Sequence, residues 1–223
     1  MKSIEPYAKR RHEMVRHQIE GRDVRDAKVL AAMRRVPREE FVPAELRDSA
    51  YADSPLPIGE GQTISQPFIV ASMTEALLLK GGERVLEIGT GSGYAAAVLA
   101  EIAGEVFTIE RIATLARQAE AALHRLGYDR VHVIEGDGTL GHAAGAPYDA
   151  IVVTAEGPQV PPALREQLKT GGRLVMPLGD PNAQTLIRLT RRDGSEDTIE
   201  ELYPVRFVPL IGAGGWADDR AGR

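Results

Sequence analysis

Apolar side chains recur at helical spacing through residues 4 to 36. Val15 and Ile19 stand four apart within Tyr7–Glu20, and Val24, Leu30, Met33 and Val36 mark a second helical stretch that Pro37 ends. From 37 to 68 the period is lost. Pro37, Pro43, Pro55, Pro57 and Pro67 punctuate the segment with Gly59 and Gly61, while Phe41, Val42, Leu46, Leu56, Ile58 and Ile64 mark it as an ordered, turn-rich loop rather than disordered chain. Pro67 to Leu79 reads as a helix.

Beyond residue 83 short apolar runs alternate with helical periods. Strands are predicted at Arg84–Ile88, Glu105–Ile109, Val131–Ile134, Tyr148–Val153 and Arg173–Met176. Helices are predicted at Tyr94–Ile102, at Ile112–Leu126 closed by Gly127, and at Pro161–Leu168 ended by Gly171-Gly172. Leu186–Leu189 and Leu202–Val208 read as two further strands about an Asp193-Gly194 turn. This alternation predicts an α/β fold: a doubly wound, mostly parallel sheet with helices on both faces and an antiparallel C-terminal strand pair. The expected division is residues 1–80 as N-terminal helices and a substrate-side loop, 81–212 as the α/β domain, and 213–223 as a loose tail that Trp216 is placed to tuck back.

Composition narrows the function. A hydrophobic share of 43% is enough for a core, and a net charge of −5 with charges of both signs lacks the basic footprint of a nucleic-acid binder. The absence of cysteine removes disulfides, thiolate nucleophiles and cysteine-based zinc sites. Met1 to Ile19 is charged throughout, unlike a signal peptide, and no apolar run approaches the roughly 18 residues of a membrane span. The expectation is a soluble cytoplasmic monomer with no nucleic-acid or membrane partner.

The candidate chemistry lies after the first predicted parallel strand. Glu87-Ile-Gly89-Thr90-Gly91-Ser92-Gly93 closes that strand and opens a helix, and such glycines let backbone approach a ligand closely. The spacing is Gly-x-Gly-x-Gly, whereas a dinucleotide turn sets its third glycine one residue later. Glu87 precedes the turn, where a carboxylate would repel a pyrophosphate but hold a cationic amino group directly or through water. Glu110 ends the next strand about 20 residues on, the place of an acid that accepts ribose hydroxyls. Asp137 ends the third strand and can accept from an adenine amine. One by one these acids could merely cap helices. Together, at neighbouring strand ends, they describe an adenosine bearing a cationic amino-acid tail, as in S-adenosylmethionine.

The methyl acceptor is read from what is missing. Of His12, His17, His124, His132 and His142, only His142 follows a strand end near the expected ligand, and no histidine–acid pair or metal-ligand cluster emerges. That favours an acceptor that arrives ionised, such as an α-carboxylate with a pKa of roughly 3.3–3.7. Thr63 and Ser65 fall on one side of extended chain just before the helix that begins at Pro67. Ser65 there serves either as a helix N-cap or as a carboxylate-holding hydroxyl, and the spacing leaves both open.

Ala50 to Ala71, including Gln62-Thr-Ile-Ser65-Gln-Pro67, resembles the signature segment of protein-L-isoaspartate O-methyltransferases. Val85–Tyr94, Thr108–Arg111, Gly136–Gly138, Pro204–Leu210 and Val36–Pro43 agree, so the similarity runs from about residue 10 to 212. The resemblance implies methyl transfer from S-adenosyl-L-methionine to the α-carboxylate of L-isoaspartyl residues in damaged proteins, leaving S-adenosyl-L-homocysteine. It makes Ser65 the catalytic candidate and Thr63 and Ser65 the substrate contacts. The candidate cofactor contacts are Gln62, Thr63, Ile64, Glu87, Gly89, Thr90, Gly91, Ser92, Gly93, Glu110, Arg111, Asp137 and Gly138, with no metal. Ser65 is expected to orient the carboxylate rather than attack, since no base stands by to activate it. Two stretches depart from the family pattern: Gly141-His142, and Ala155-Glu156-Gly157 after the fourth strand. They leave open a diverged enzyme that methylates another carboxylate.

Overall fold

The computed structural model describes residues 5–180, 182–194 and 196–218, so the expected start of the first helix at Ile4 and the end of the tail lie outside the described residues. Helix α1 (Glu5–Met14) continues through a π-helical turn at Val15–Ile19, and α2 (Ala27–Arg35) follows. Asp26 caps α2 by accepting the N–H groups of Lys28 at 2.7 Å and Val29 at 3.3 Å.

The proline-rich segment is more regular than its sequence predicts. After two 3₁₀ turns, Leu56–Gly59 (β1) and Gln62–Ile64 (β2) pair as an antiparallel hairpin. Its two turn residues, Glu60 (φ 52°) and Gly61 (φ 68°), are both left-handed, as a tight hairpin requires. The signal was hidden because glutamate stands where asparagine or aspartate would announce the turn, and because Pro57 sits inside β1. Helix α3 (Pro67–Ala76) starts immediately afterwards.

Seven strands form the main sheet: β3 (Arg84–Ile88), β4 (Glu105–Glu110), β5 (Val131–Glu135), β6 (Tyr148–Val153), β7 (Leu168–Gly179), β8 (Gln184–Thr190) and β9 (Thr198–Val205), in the order β5-β4-β3-β6-β7-β8-β9. Pairing is parallel from β5 through β7 and antiparallel for β7–β8 and β8–β9. The doubly wound α/β fold expected from the sequence is thus present. Strand β7 begins earlier than predicted, because Gly171-Gly172 is absorbed into the strand instead of standing before it, and β9 begins earlier than Leu202.

Helices α4 (Tyr94–Ala100), α5 (Ala113–Arg125) and α6 (Pro162–Gln167) complete the layers. Successive residues of a strand face opposite sides, and β3 shows it. Val85 joins the cluster built with α2, α3, α4 and α5, whereas Leu86 and Ile88 join the one built with α6. The N-terminal helices share the first of these cores with the sheet. The chain runs outward from β3 to β5 and returns to β6 on the other side of β3, so a crevice opens between the carboxyl ends of β3 and its neighbours. No helix of the described residues is long and apolar enough to cross a membrane.

Leu86, on the central strand, is fully buried, and Ile199, on the edge strand β9, is 55% exposed. Leu86→Ala is expected to cost about 2–5 kcal/mol in denaturant unfolding, and Ile199→Ala under about 0.5 kcal/mol. Similar losses at the two positions would contradict this assignment of centre and edge.

Candidate functional site

The turn from β3 into α4 is clamped from both sides. Gly89, Gly91 and Gly93 all have positive φ (94°, 53° and 87°). A Cβ on Gly89 would lie 2.3 Å from Thr154 Oγ1, so glycine is required there by contact as well as by φ. Thr154 follows β6, and its hydroxyl donates to Gly89 O at 2.8 Å and Ile88 O at 3.0 Å. From the other side Glu110, the last residue of β4, accepts the N–H of Gly91 with Oε2 and that of Ile112 with Oε1, both at 2.9 Å. The hairpin leans on the same turn, since a Cβ on Gly91 would stand 3.4 Å from Ile58 Cδ1.

Between turn, hairpin and α3 lies a cavity of about 310 Å³. Eleven of the residues expected at the site line it: Gln62, Thr63, Ile64, Ser65, Gly89, Thr90, Gly91, Ser92, Glu110, Arg111 and Gly138. Ser65 is not the N-cap of α3. Gln66 holds that position, without a side-chain capping bond, and sends its amide to Asp53 instead. Ser65 instead lines the cavity.

Three expected residues stand apart. Gly93 caps α4 behind the cavity wall. Asp137 faces an adjoining depression that it shares with Arg111, Glu135, Ile211 and Trp216. Its Oδ1 accepts the N–H and hydroxyl of Thr139 at 2.9 and 2.7 Å, and its Oδ2 accepts the N–H of Ala213 at 2.8 Å. Burial works to raise its pKa, but the bonds from Ala213 and Thr139 outweigh it and hold the carboxyl below its usual range. Glu87 does not reach the cavity, contrary to a direct hold on a ligand. It is fully buried under the turn, opposite Thr108 of β4 in the strand register. The Thr108 hydroxyl donates to Glu87 Oε2 at 2.6 Å and lies 2.7 Å from the Thr90 hydroxyl, so two hydroxyls stand between the carboxylate and the cavity wall. Burial pushes the Glu87 pKa up to about 8; the Thr108 bond opposes the rise and the nearby Glu110 adds to it.

Sequence reasoning missed Thr154 and Ala155, the α3 residues Val70, Met73 and Thr74, and the segment Val208–Ile211, all of which line the cavity. Thr154 follows β6 directly, and only knowledge that β6 neighbours β3 could have selected it.

Of the two departures from the family pattern, Ala155 lines the cavity, while His142 and Glu156 are engaged outside it. His142 stacks on Phe107 with ring centroids 5.5 Å apart, and its N–H donates to Gln167. Glu156 is buried, and its Oε1 accepts the Trp216 indole N–H at 3.1 Å. Trp216 N–H in turn donates to Leu210 O at 2.7 Å, and Gly214 N–H to Thr139 Oγ1 at 2.9 Å. Residues 212–218 thereby form a strap against Asp137 rather than a loose tail.

Trp216→Phe removes the indole donor while keeping an aromatic ring. Amide exchange at Ala213 and Gly214 is expected to speed roughly tenfold, as for the loss of one hydrogen bond of about 1.4 kcal/mol. Unchanged protection at both amides would show that the indole bond does not hold the strap.

The residues present suit an adenosyl ligand with a cationic tail. Glu110 offers a fixed carboxylate, Ile109, Ile112, Leu210 and Ile211 offer apolar walls, and Arg111 is the one cation among the lining residues, against Glu60 and Glu110. Comparisons with known proteins agree. A family model described as protein-L-isoaspartate(D-aspartate) O-methyltransferase matches residues 9–214. A protein-L-isoaspartate O-methyltransferase 1 of Rhodopseudomonas palustris (strain HaA2) is 64% identical, covering 95% of this chain and 86% of that protein. A protein-L-isoaspartate O-methyltransferase 2 of Pelobacter propionicus is 59% identical, over 93% of this chain and 92% of that one. Among solved structures, a protein-L-isoaspartate O-methyltransferase superposes with a TM-score of 0.82 at 30% identity, covering 92% of this chain and 67% of its own. A Plasmodium falciparum structure described as a putative member, in complex with S-adenosyl-L-homocysteine, gives 0.79 at 25% identity, over 90% and 98%. On the extent of these matches, the chain belongs to the protein-L-isoaspartate(D-aspartate) O-methyltransferase family.

Proposed function

We propose that this chain transfers the methyl group of S-adenosyl-L-methionine to the α-carboxylate of L-isoaspartyl residues in damaged proteins, the first step of their repair. The observation that carries the reading is the meeting of two segments distant in sequence: Thr63 and Ser65 of the hairpin arm line the same cavity as Gly89–Ser92 and Glu110.

When bound, the cofactor supplies a methyl group already made electrophilic by its sulfonium. The protein therefore has to seat, align and dehydrate the reactants rather than activate one of them. Glu110 spends one lone pair of each oxygen on backbone N–H groups and keeps the remainder for ligand hydroxyls. Asp137 and Gly138 form the outer edge, with the carboxylate of Asp137 kept ionised by its three donors. Gln62, Thr63 and Ile64 close the cavity from the hairpin side. Ser65 orients the acceptor carboxylate with its hydroxyl. No histidine or lysine is among the described residues that line the cavity, which suits an acceptor that is ionised on arrival and needs no base.

Of the stretches that motivated a diverged acceptor, His142 and Glu156 are engaged by Phe107 and Trp216, which leaves Ala155 as the departure that faces the cavity. We further propose that the protein works in the cytoplasm as a monomer.

Methyl-labelled S-adenosylmethionine offered with matched peptides bearing isoaspartate, aspartate or neither is expected to give base-labile label in the isoaspartyl peptide alone. Equal labelling of the aspartyl peptide would overturn the repair reading. Ser65→Ala is expected to lower kcat on the order of 10–100-fold with cofactor affinity little changed. Glu110→Gln is expected to weaken cofactor binding roughly tenfold or more. The reverse pattern between the two variants would exchange their roles.

A further inference from the structure

The hydrogen-bond chain under the glycine turn has a direction, and the direction depends on one proton. Thr108 has a single hydroxyl proton, and when Glu87 is ionised that proton goes to Glu87 Oε2 at 2.6 Å. The contact of 2.7 Å between Thr90 and Thr108 must then use the proton of Thr90. Thr90, on the cavity wall, is left offering only lone pairs. A proton on Glu87 reverses every bond. Glu87 Oε1 is buried without a partner, so a proton there has no acceptor. On Oε2 it is donated to Thr108, Thr108 donates to Thr90, and Thr90 turns its own O–H toward the cavity.

We propose that Glu87 is a proton-linked positioning residue: through Thr108 it sets whether Thr90 offers the cavity lone pairs alone or an O–H beside a single lone pair, so that seating a ligand with a cationic N–H donor favours the first and drives the proton off Glu87. The proton leaves through the two hydroxyls to the cavity and from there to solvent. This deepens the cofactor reading above and rests on it, the donor being the ammonium of the amino-acid tail.

The surroundings of Glu87 support the switch. Its neighbour on β6 is the apolar Val152, and its neighbour on β4 is Thr108. Tyr94 is the one ionisable residue of α4, and burial pushes its pKa up to about 12, so it stays neutral. Arg117, Glu120, His124 and Arg125 of α5 are exposed. Glu110 is the charged group that acts on Glu87, and it favours the protonated form. With a pKa of about 8 before ligand enters, Glu87 holds its proton at pH 7. A ligand that requires the ionised form therefore gains affinity as pH rises toward 8 and gains no more above it.

Calorimetric titration with S-adenosylhomocysteine at pH 7, in buffers of different ionisation heat, is expected to show release of roughly one proton per ligand. Methylthioadenosine, which lacks the amino-acid tail, is expected to bind without release. From pH 6 to 8 the affinity for S-adenosylhomocysteine should rise roughly tenfold per unit. Infrared difference spectra should show the carbonyl band of a protonated carboxyl vanish as ligand binds. Thr108→Val should abolish the release and Thr108→Ser should retain it, with thermal unfolding confirming that both variants are folded. Binding of S-adenosylhomocysteine without proton release by the wild-type protein, or equal release by Thr108→Val, overturns the proposal and leaves the cofactor reading intact. Binding of neither nucleoside removes the cofactor reading, and this proposal with it. The wild-type measurements decide the matter even if the variants do not fold.

Discussion

A backbone that leaves a central strand, turns at once and starts a helix must be held there by something other than its own hydrogen bonds. Here the neighbouring strands supply the hold. Thr154 at the end of β6 binds the Gly89 carbonyl and fills the space a side chain would occupy, and Glu110 at the end of β4 accepts the Gly91 N–H. Each partner stands next to β3 because the chain winds outward from it in both directions. The cavity-facing surface of the turn thus follows from strand order, and Glu110 helps build the turn as well as line the cavity beside it.

Much of this was legible in the sequence, for identifiable reasons. Five parallel strands and the helices between them announced themselves because strands covered on both faces are near-continuous apolar runs bounded by glycine and helix signals. The acids were readable as residues at or beside the ends of three neighbouring strands, but not the protein donors that each carboxylate binds there: Thr108 for Glu87, Gly91 and Ile112 for Glu110, Thr139 and Ala213 for Asp137. The hairpin was not readable, because its turn puts a glutamate in a left-handed conformation that favours asparagine and glycine, and only the surrounding packing makes that acceptable. Thr154 was not readable either, since its importance lies in a contact with Gly89 that is 65 residues away in sequence.

Glu87 shows a different limit. Its type and place pointed to a ligand-binding acid, yet strand alternation turns its side chain into the core beside Thr108 rather than toward the cavity. Residue type suggested a direct contact, and the period of the strand places two hydroxyls between this carboxylate and the cavity instead. The two departures from the family pattern carry a similar lesson. Glu156 and His142 look disruptive as letters, but the first is bonded to Trp216 and the second is stacked on Phe107. A substitution beside a site is absorbed when its new polar atoms find partners elsewhere.

The strap over Asp137 gives the chain an order of completion. Every strand, the glycine turn and the hairpin lie before residue 206, whereas one of the three donors that steady Asp137 is the N–H of Ala213, and the indole that holds the strap comes later still. A polypeptide still emerging during synthesis, or clipped after its last strand, has all of the sheet and none of this closure. The sheet and the closure over Asp137 are therefore separate milestones: the strands are complete by Val205, and the strap comes only with Ala213 and Trp216.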